Sequence, residues 1–292
     1  MTNKEKTMKK NLTELVFILD RSGSMGGFVN DVIEGFNSMI KKYKEELEEA
    51  YITTVLFDDK YEILHDHVNL NDIKPITNKE YYTLGWTALY DALGKTINSV
   101  GARLFNTPEE ERPEKVIFVI NTDGEENSSR EFTRSKIKEM IEHQQNKYSW
   151  GFLFLGANID AETEAESIGI SRNFAAKFAA TSAGLSSSYD AISDSIMCMA
   201  SCDSLCDSAT SVKSILNSKV LDSTKTYTDA DSSASNIAAL TSAYDAVTLG
   251  SFTNTLNFHP DSFSDLNSSI SSKAYISFTD EEVNDLFGIG TE

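Results

Sequence analysis

Three oxygen-bearing side chains stand at alternate positions in one short turn: Asp20, Ser22 and Ser24. Because they alternate around the turn, their oxygen atoms can converge on one point. Hard oxygen ligands of this kind suit Mg²⁺, Mn²⁺ or Ca²⁺ better than a soft metal. The turn is therefore a candidate site for a divalent cation.

The elements that must position this turn are strands of a buried sheet. Five consecutive apolar residues, 15–19, lead directly into the turn, and such a run is typical of a strand buried on both faces. In open α/β sheets, ligands bind at the carboxyl ends of the strands, where the loops diverge. Two later features lead to the same edge: Thr87 opens a predicted helix, and Asp123 follows a second apolar strand predicted over 115–121.

At these residues the chain resembles the von Willebrand factor A-type (VWA) family, whose metal-ion-dependent adhesion site (MIDAS) begins with Asp-x-Ser-x-Ser after the first strand. The family pattern also asks for a threonine in a Gly-x-Thr-like loop and for an aspartate, commonly followed by glycine, after a later buried strand. Gly85-Trp86-Thr87 and Asp123-Gly124 supply both in the right order. The metal ligands that the resemblance implies are Asp20, Ser22, Ser24, Thr87 and Asp123.

The resemblance also implies a fold: an α/β, Rossmann-like, doubly wound and mostly parallel sheet with one antiparallel edge strand. We expect a disordered lead-in over 1–11, the VWA domain over 12–200, and a Ser/Asp-rich, helical extension over 201–292. No arginine occurs from Asn173 onward, where serine becomes the commonest residue, and Thr279–Glu282 is a capping box that opens a last helix. The extension could instead be a partly disordered interaction segment.

The function that the resemblance implies is binding a protein partner through a MIDAS ion. Three neutral hydroxyls would leave Mg²⁺ (or Mn²⁺/Ca²⁺) electron-poor, so that an Asp or Glu carboxylate of the partner is an attractive further ligand. Arg21 could screen the site or pair with the incoming acid, and Trp86 could be a rim residue for the partner or merely anchor its loop. The run over 156–170 resembles intracellular bacterial and phage members of the family. The alternatives are an accessory subunit of an ATPase complex and a phage structural or assembly component acting through the extension.

Several other classes of protein fit the sequence poorly. The formal net charge of −19 argues against a nucleic-acid partner. No apolar run approaches the length of a membrane span. We expect no enzyme activity, because a haloacid-dehalogenase-type phosphotransferase needs an aspartate where Ser22 stands, and a Gly-Lys-Ser/Thr phosphate loop is absent.

The cysteines and two of the histidines are interpreted as structural residues. The three cysteines are spaced four residues apart, which predicts one buried face of a single helix. Their odd number and spacing fit a reducing compartment, and we expect a cytoplasmic protein. His65 and His67 lie on the predicted edge strand and are interpreted as part of an exposed polar face. The sequence does not indicate an oligomeric state.

Overall fold

The computed structural model describes residues 8–202 and 204–220. Its elements alternate between strands and helices as a doubly wound fold requires. The strands are β1 Lys9–Asp20, β2 Glu49–Phe57, β3 Tyr61–Asn69, β4 Pro113–Thr122, β5 Gly151–Gly156 and β6 Ala175–Lys177. The helices are α1 Val29–Glu46, α2 Leu89–Asn106, α3 Arg134–Tyr148, α4 Ala161–Ser167, α5 Ser182–Ser201 and α6 Leu205–Lys219.

The six strands form one sheet in the order β3-β2-β1-β4-β5-β6. Strand β1 lies at its centre and pairs in parallel with β2 and β4, whereas β3 pairs antiparallel with β2 and forms one edge. The apolar run over 15–19 is almost fully buried, as expected for a central parallel strand. The predicted fold class, a doubly wound and mostly parallel sheet with one antiparallel edge strand, is confirmed.

Two layers of helices cover the sheet. Helices α1, α5 and α6 pack on one face, and α2, α3 and α4 pack on the other. Alternate residues of β1 serve the two cores, because successive side chains of a strand point to opposite faces. Phe17 lies in the first core, and its neighbours Val16 and Ile18 lie in the second. This sandwich fixes the carboxyl ends of β1 and β4 side by side.

The first strand begins earlier than expected. Residues 9–11, which we assigned to a disordered lead-in over 1–11, belong to β1. The Lys9 backbone N–H donates to the Arg112 carbonyl, and the Lys9 ammonium lies 2.6 Å from Glu49. The expectation was wrong there because these polar contacts come from distant segments, and the local lysine-rich composition gives no sign of them.

The carboxyl-terminal extension begins with an ordered helix. Helix α6 packs on α5, and its residues Val212 and Leu216 belong to the same core as α1 and α5. The cysteines do not share one helix as predicted, because the chain leaves α5 at Cys202 in an extended conformation and Cys206 falls in α6. The rest of the extension, including the capping box at Thr279–Glu282, lies outside the described residues.

None of the helices in the described part of the chain is long and apolar enough to cross a membrane.

Candidate metal centre

The turn after β1 brings its three oxygen-bearing side chains together. The Asp20 carboxylate accepts a hydrogen bond of 2.7 Å from the Ser22 backbone N–H, which folds the chain back on itself. A 3₁₀ turn over Gly23–Phe28 follows and places the Ser22 and Ser24 hydroxyl oxygens 3.0 Å apart. Asp20 and Ser22 are buried, whereas Ser24 is exposed. The site is therefore buried on the side of Asp20 and Ser22 and open to solvent on the side of Ser24.

The end of β4 adds the second carboxylate. The Ser24 hydroxyl donates a 2.6 Å hydrogen bond to Asp123, across 99 residues of sequence. The Asn158 side-chain amide donates to the Asp123 backbone carbonyl at 3.2 Å and so holds this residue from the loop after β5. A Cβ atom added at Gly124 would lie 3.8 Å from both the Ser24 and the Thr87 hydroxyl oxygens. Both hydroxyls therefore line the space beside Gly124.

Thr87 reaches this space from the loop before α2. Its backbone N–H donates to the Asn127 side chain at 3.0 Å, and its carbonyl accepts from the backbone N–H groups of Asn127 and Ser128. The loop also needs glycine at residue 85, where φ is +66° and a Cβ would lie 1.9 Å from an Asp59 carboxylate oxygen. Thr87 is thus buried and held in place by backbone contacts rather than by its own hydroxyl.

Two carboxylates outside the oxygen cluster brace the loop after β4. Glu126 accepts from the Tyr90 backbone N–H at 3.0 Å and from the N–H groups of 128–129. Asp91, interpreted from the sequence as a first-turn carboxylate that complements the helix dipole, accepts three backbone N–H groups from 130–132. These bonds fasten the loop after β4 to the amino-terminal end of α2, so that Thr87 and Asp123 are held together.

The two carboxylates of the site carry negative charge that no described residue neutralises. Neither Asp20 nor Asp123 takes part in a salt bridge within the described residues. Burial and, to a smaller extent, the nearby charge of Asp123 raise the pKa of Asp20 to about 6, although hydrogen bonds from Thr122 and Ser22 oppose the shift. Burial also raises the pKa of Asp123, although the hydrogen bond from Ser24 opposes the shift.

Arg21 stands inside the turn and yet does not serve the site. Its side chain is only 3% exposed, and its guanidinium pairs with Asp58 at 3.1 Å and with Glu62 at 2.6 Å. The same group lies over the Tyr82 ring, 5.3 Å from its centroid. The expectation that Arg21 could pair with an incoming acid was wrong, because two carboxylates of this chain already occupy it.

The donor set fits a hard divalent cation. Among the described residues, no group of three or more His, Cys, Asp or Glu side chains could hold a metal ion. A metal at this edge would therefore need the hydroxyls of Ser22, Ser24 and Thr87 beside the two aspartates. Such an all-oxygen set suits Mg²⁺, Mn²⁺ or Ca²⁺, and a cation would offset the buried negative charge.

The structure thus brings four of the five predicted residues into one hydrogen-bonded cluster and places the fifth, Thr87, beside it. Sequence reasoning missed the residues that support them. The Thr122 hydroxyl donates to Asp20 at 2.5 Å, and the Tyr81 hydroxyl donates to the Asp20 carbonyl at the same distance. The position of Thr122, directly before Asp123 at the end of a buried strand, was the one local signal. Tyr81 carried none, because its partner is 61 residues away.

Part of the chain matches the model of a known protein family. A family model described as von Willebrand factor type A domain matches residues 14–189. A search of curated proteins found no match.

Three solved structures illustrate the likeness in fold. The vWF domain of the type V pili tip protein Mfa5 from Porphyromonas gingivalis is 13% identical, with a TM-score of 0.48 over 67% of this chain and 98% of that one. Manganese-loaded Plasmodium vivax TRAP protein is 16% identical, with a TM-score of 0.40 over 58% and 68%. Proximal thread matrix protein 1 from the mussel byssus, with a zinc-occupied MIDAS motif, is 18% identical, with a TM-score of 0.41 over 62% and 44%. This chain spans less than half the length of the mussel protein in each of the three structures of it that match.

Proposed function

Because the chain belongs to the von Willebrand factor type A domain family, we propose that it is a divalent-metal-dependent protein interaction module. Domains of this family are typically interaction modules rather than enzymes. In the proposed function, one MIDAS ion, Mg²⁺ or else Mn²⁺ or Ca²⁺, links the chain to an Asp or Glu carboxylate of a partner protein. The residues that would hold the ion are Asp20, Ser22, Ser24, Thr87 and Asp123.

The observation that carries this proposal is the buried negative charge at the edge of the sheet. Two nearly inaccessible aspartates lie beside three hydroxyls, and no cationic side chain of the described residues pairs with them. Ionised carboxylates that are buried without a counter-ion cost free energy. A cluster that retains two of them is explained by a cation that arrives from outside.

Each residue has a distinct part in this function. Ser22, Ser24 and Thr87 offer neutral oxygens, so the bound ion keeps Lewis acidity for one external carboxylate. Asp20 and Asp123 balance the charge of the ion; Thr122 holds the Asp20 carboxylate, and Asn158 holds the backbone of Asp123. The exposed position of Ser24 leaves an open approach for the partner.

We also propose where the protein acts and what kind of partner it binds. The resemblance of residues 156–170 to intracellular bacterial and phage proteins supports a cytoplasmic binding module in such an organism. The net charge of −19 favours partners that are basic or that arrive with the metal.

Isothermal titration of Mg²⁺ and Mn²⁺ into chelator-stripped protein tests the metal site. We expect saturable binding by the wild type and none by the double variant Asp20→Ala, Ser22→Ala, because the variant loses one charge and two oxygen donors. Asp160→Asn is a matched control: Asp160 also follows a strand at this edge, yet it only caps α4.

The control variant should bind as the wild type does. Equal binding by the wild type and the double variant would show that the metal lies elsewhere. Absence of saturable binding to the wild type would overturn the proposed function.

A further inference from the structure

Large apolar side chains are exposed beside the metal centre. Within the described residues, seven such side chains are exposed, and three of them fall in the stretch 82–86. These three are Tyr82, Leu84 and Trp86, and we name them the apolar rim. Trp86 is 69% exposed, so the loop does not use this indole as an anchor. The other tryptophan, Trp150, shows the contrast: it is 5% exposed and stacks on Phe118 in the core.

The rim runs alongside the turn that carries the candidate ligands. The Leu84 backbone N–H donates to the Arg21 carbonyl at 2.9 Å, and the Gly23 N–H donates to the Gly85 carbonyl at 3.1 Å. Trp86 directly precedes Thr87, so their Cα atoms are about 3.8 Å apart. A molecule whose carboxylate entered the metal centre would therefore have its neighbouring groups over the rim.

The charges around the rim restrict what such a molecule can carry. The Asp59 side chain lies against Gly85, and Glu62 is half exposed where it pairs with Arg21 under the Tyr82 ring. Because Arg21 already compensates the charge of Glu62, an additional acidic group on a partner would meet the Asp59 carboxylate as well as the net charge of −19. Only the carboxylate bound at the metal centre would have its charge compensated.

We propose that the apolar rim binds large apolar side chains that flank a single acidic residue of the protein partner, with Trp86 as the main anchor. This inference rests on the proposed function, since the acidic residue is the one bound at the metal centre. Tryptophan is the residue type most often dominant in binding, because it buries a large rigid surface at low cost in entropy. The rim thus selects which carboxylates are bound tightly.

Two labelled peptides that differ only beside a central aspartate test the rim. One carries Leu-Asp-Leu and the other Ser-Asp-Ser, and each is titrated with the 292-residue chain in saturating Mg²⁺ while fluorescence anisotropy is recorded. We expect the leucine peptide to bind about tenfold more tightly to the wild type. Trp86→Ala should remove most of this preference and leave the affinity for Mg²⁺ unchanged.

Phe105→Ala is the matched control for Trp86→Ala. It also removes an exposed large apolar side chain, 80% exposed, at the opposite end of α2, and it should leave the preference intact. Equal affinity of the wild type for both peptides, or a preference that persists in Trp86→Ala, would overturn the role of the rim.

Failure of the proposed function has a separate signature. In that case the wild type would bind neither Mg²⁺ nor the serine peptide, and the rim inference, which rests on that function, would fall with it. Saturable metal binding together with equal peptide affinities would overturn the rim alone.

Discussion

Strand β1 carries two buried carboxylates whose surroundings differ in kind. Glu14, inside the strand, is fully buried, and Arg103 and His67 each place a nitrogen 2.6 Å from one of its oxygens. Thr53 donates a further hydrogen bond of 2.8 Å. Asp20, at the end of the same strand, accepts from a backbone N–H and from hydroxyl groups, and no cationic side chain of the described residues pairs with it.

The difference distinguishes a carboxylate that stabilises the fold from one that belongs to the proposed metal site. The chain supplies its own cation for Glu14, so this carboxylate joins β1, β2, β3 and α2 into one unit. It supplies none for Asp20 among the described residues. A carboxylate that is buried at a cost and left without a cation suits a site whose counter-ion comes from outside. Variants that neutralise Glu14 or Asp20 test whether the two carboxylates differ in this way.

The largest loss of stability is expected from neutralising Glu14, the compensated carboxylate. Glu14→Gln takes the fully buried carboxylate away from the partly buried Arg103 guanidinium, which keeps only its exposed partner Asp66, and breaking a buried ion pair in this way costs up to about 3–5 kcal/mol. Urea unfolding measures the loss as a lower midpoint at unchanged slope. The control is Glu49→Gln, which removes a carboxylate from the exposed pair with Lys9 and should cost less than about 1 kcal/mol. Equal costs for the two variants would contradict the structural role of Glu14.

Neutralising Asp20, the uncompensated carboxylate, should instead stabilise the metal-free protein. The folded-state pKa of Asp20 is raised from 3.8 to about 6, so the metal-free wild type loses stability as the pH rises through this range. Asp20→Asn has no such loss. Relative to the wild type in chelator, it should gain about 2–3 kcal/mol between about pH 4 and pH 7.

Paired urea titrations of the two proteins at both pH values measure this gain, because background pH effects cancel in the difference. A constant difference between the variant and the wild type would mean that Asp20 is not strained by its burial. The same variant should lose metal binding, which separates stability from function at one residue.

The two carboxylates also differ in how far the sequence predicts them. Asp20 and the other proposed metal ligands were predicted from local motifs and their resemblance to one family: an apolar run that ends in an alternating turn, a Gly-x-Thr loop, and an aspartate after a later strand. The surroundings of Glu14 do not, because Thr53, His67 and Arg103 are 39 or more residues away from it. Local patterns carry no information on such distant partners.

The histidine strand shows the same limit. We interpreted His65 and His67 as an exposed polar face, but His67 turns inward to Glu14 at a backbone φ of +53°. The pairing of β2 with β3 shifts register nearby, between Ile52 and Thr54. A register shift changes which face a side chain points to, and alternation in the sequence cannot reveal it. His65 stacks on Phe36 of the core.

Adding metal should compensate the charge of Asp20, as Arg103 compensates the charge of Glu14. At a free Mg²⁺ concentration ten times the dissociation constant, the wild type should gain about 1.4 kcal/mol of stability by mass action. Asp20→Asn should gain nothing. Glu14→Gln should gain as much as the wild type, because distant sites without shared partners are additive. Thermal shift with and without chelator measures all three proteins, and a smaller gain in Glu14→Gln would show that the two sites are coupled.

The smallest effect is expected where a compensated carboxylate is partly exposed. Asp194 on α5 pairs with Lys42 of α1 and Lys219 of α6, and its side chain is 28% exposed. Burial raises the pKa of Asp194, but the hydrogen bonds from Lys219 and Lys42 outweigh it, so the folded-state pKa is lowered.

The stabilisation from Asp194 is therefore present above its unfolded pKa and is lost as the pH falls through the lower folded value. Solvent screens the pairs, so Asp194→Asn should cost less than about 1 kcal/mol at neutral pH. Urea unfolding should show a constant cost down to about pH 4 and a shrinking cost below it. A cost as large as that of Glu14→Gln would mean that ion pairing, rather than burial, sets the energy of these carboxylates, and the contrast between Glu14 and Asp20 would then need another cause.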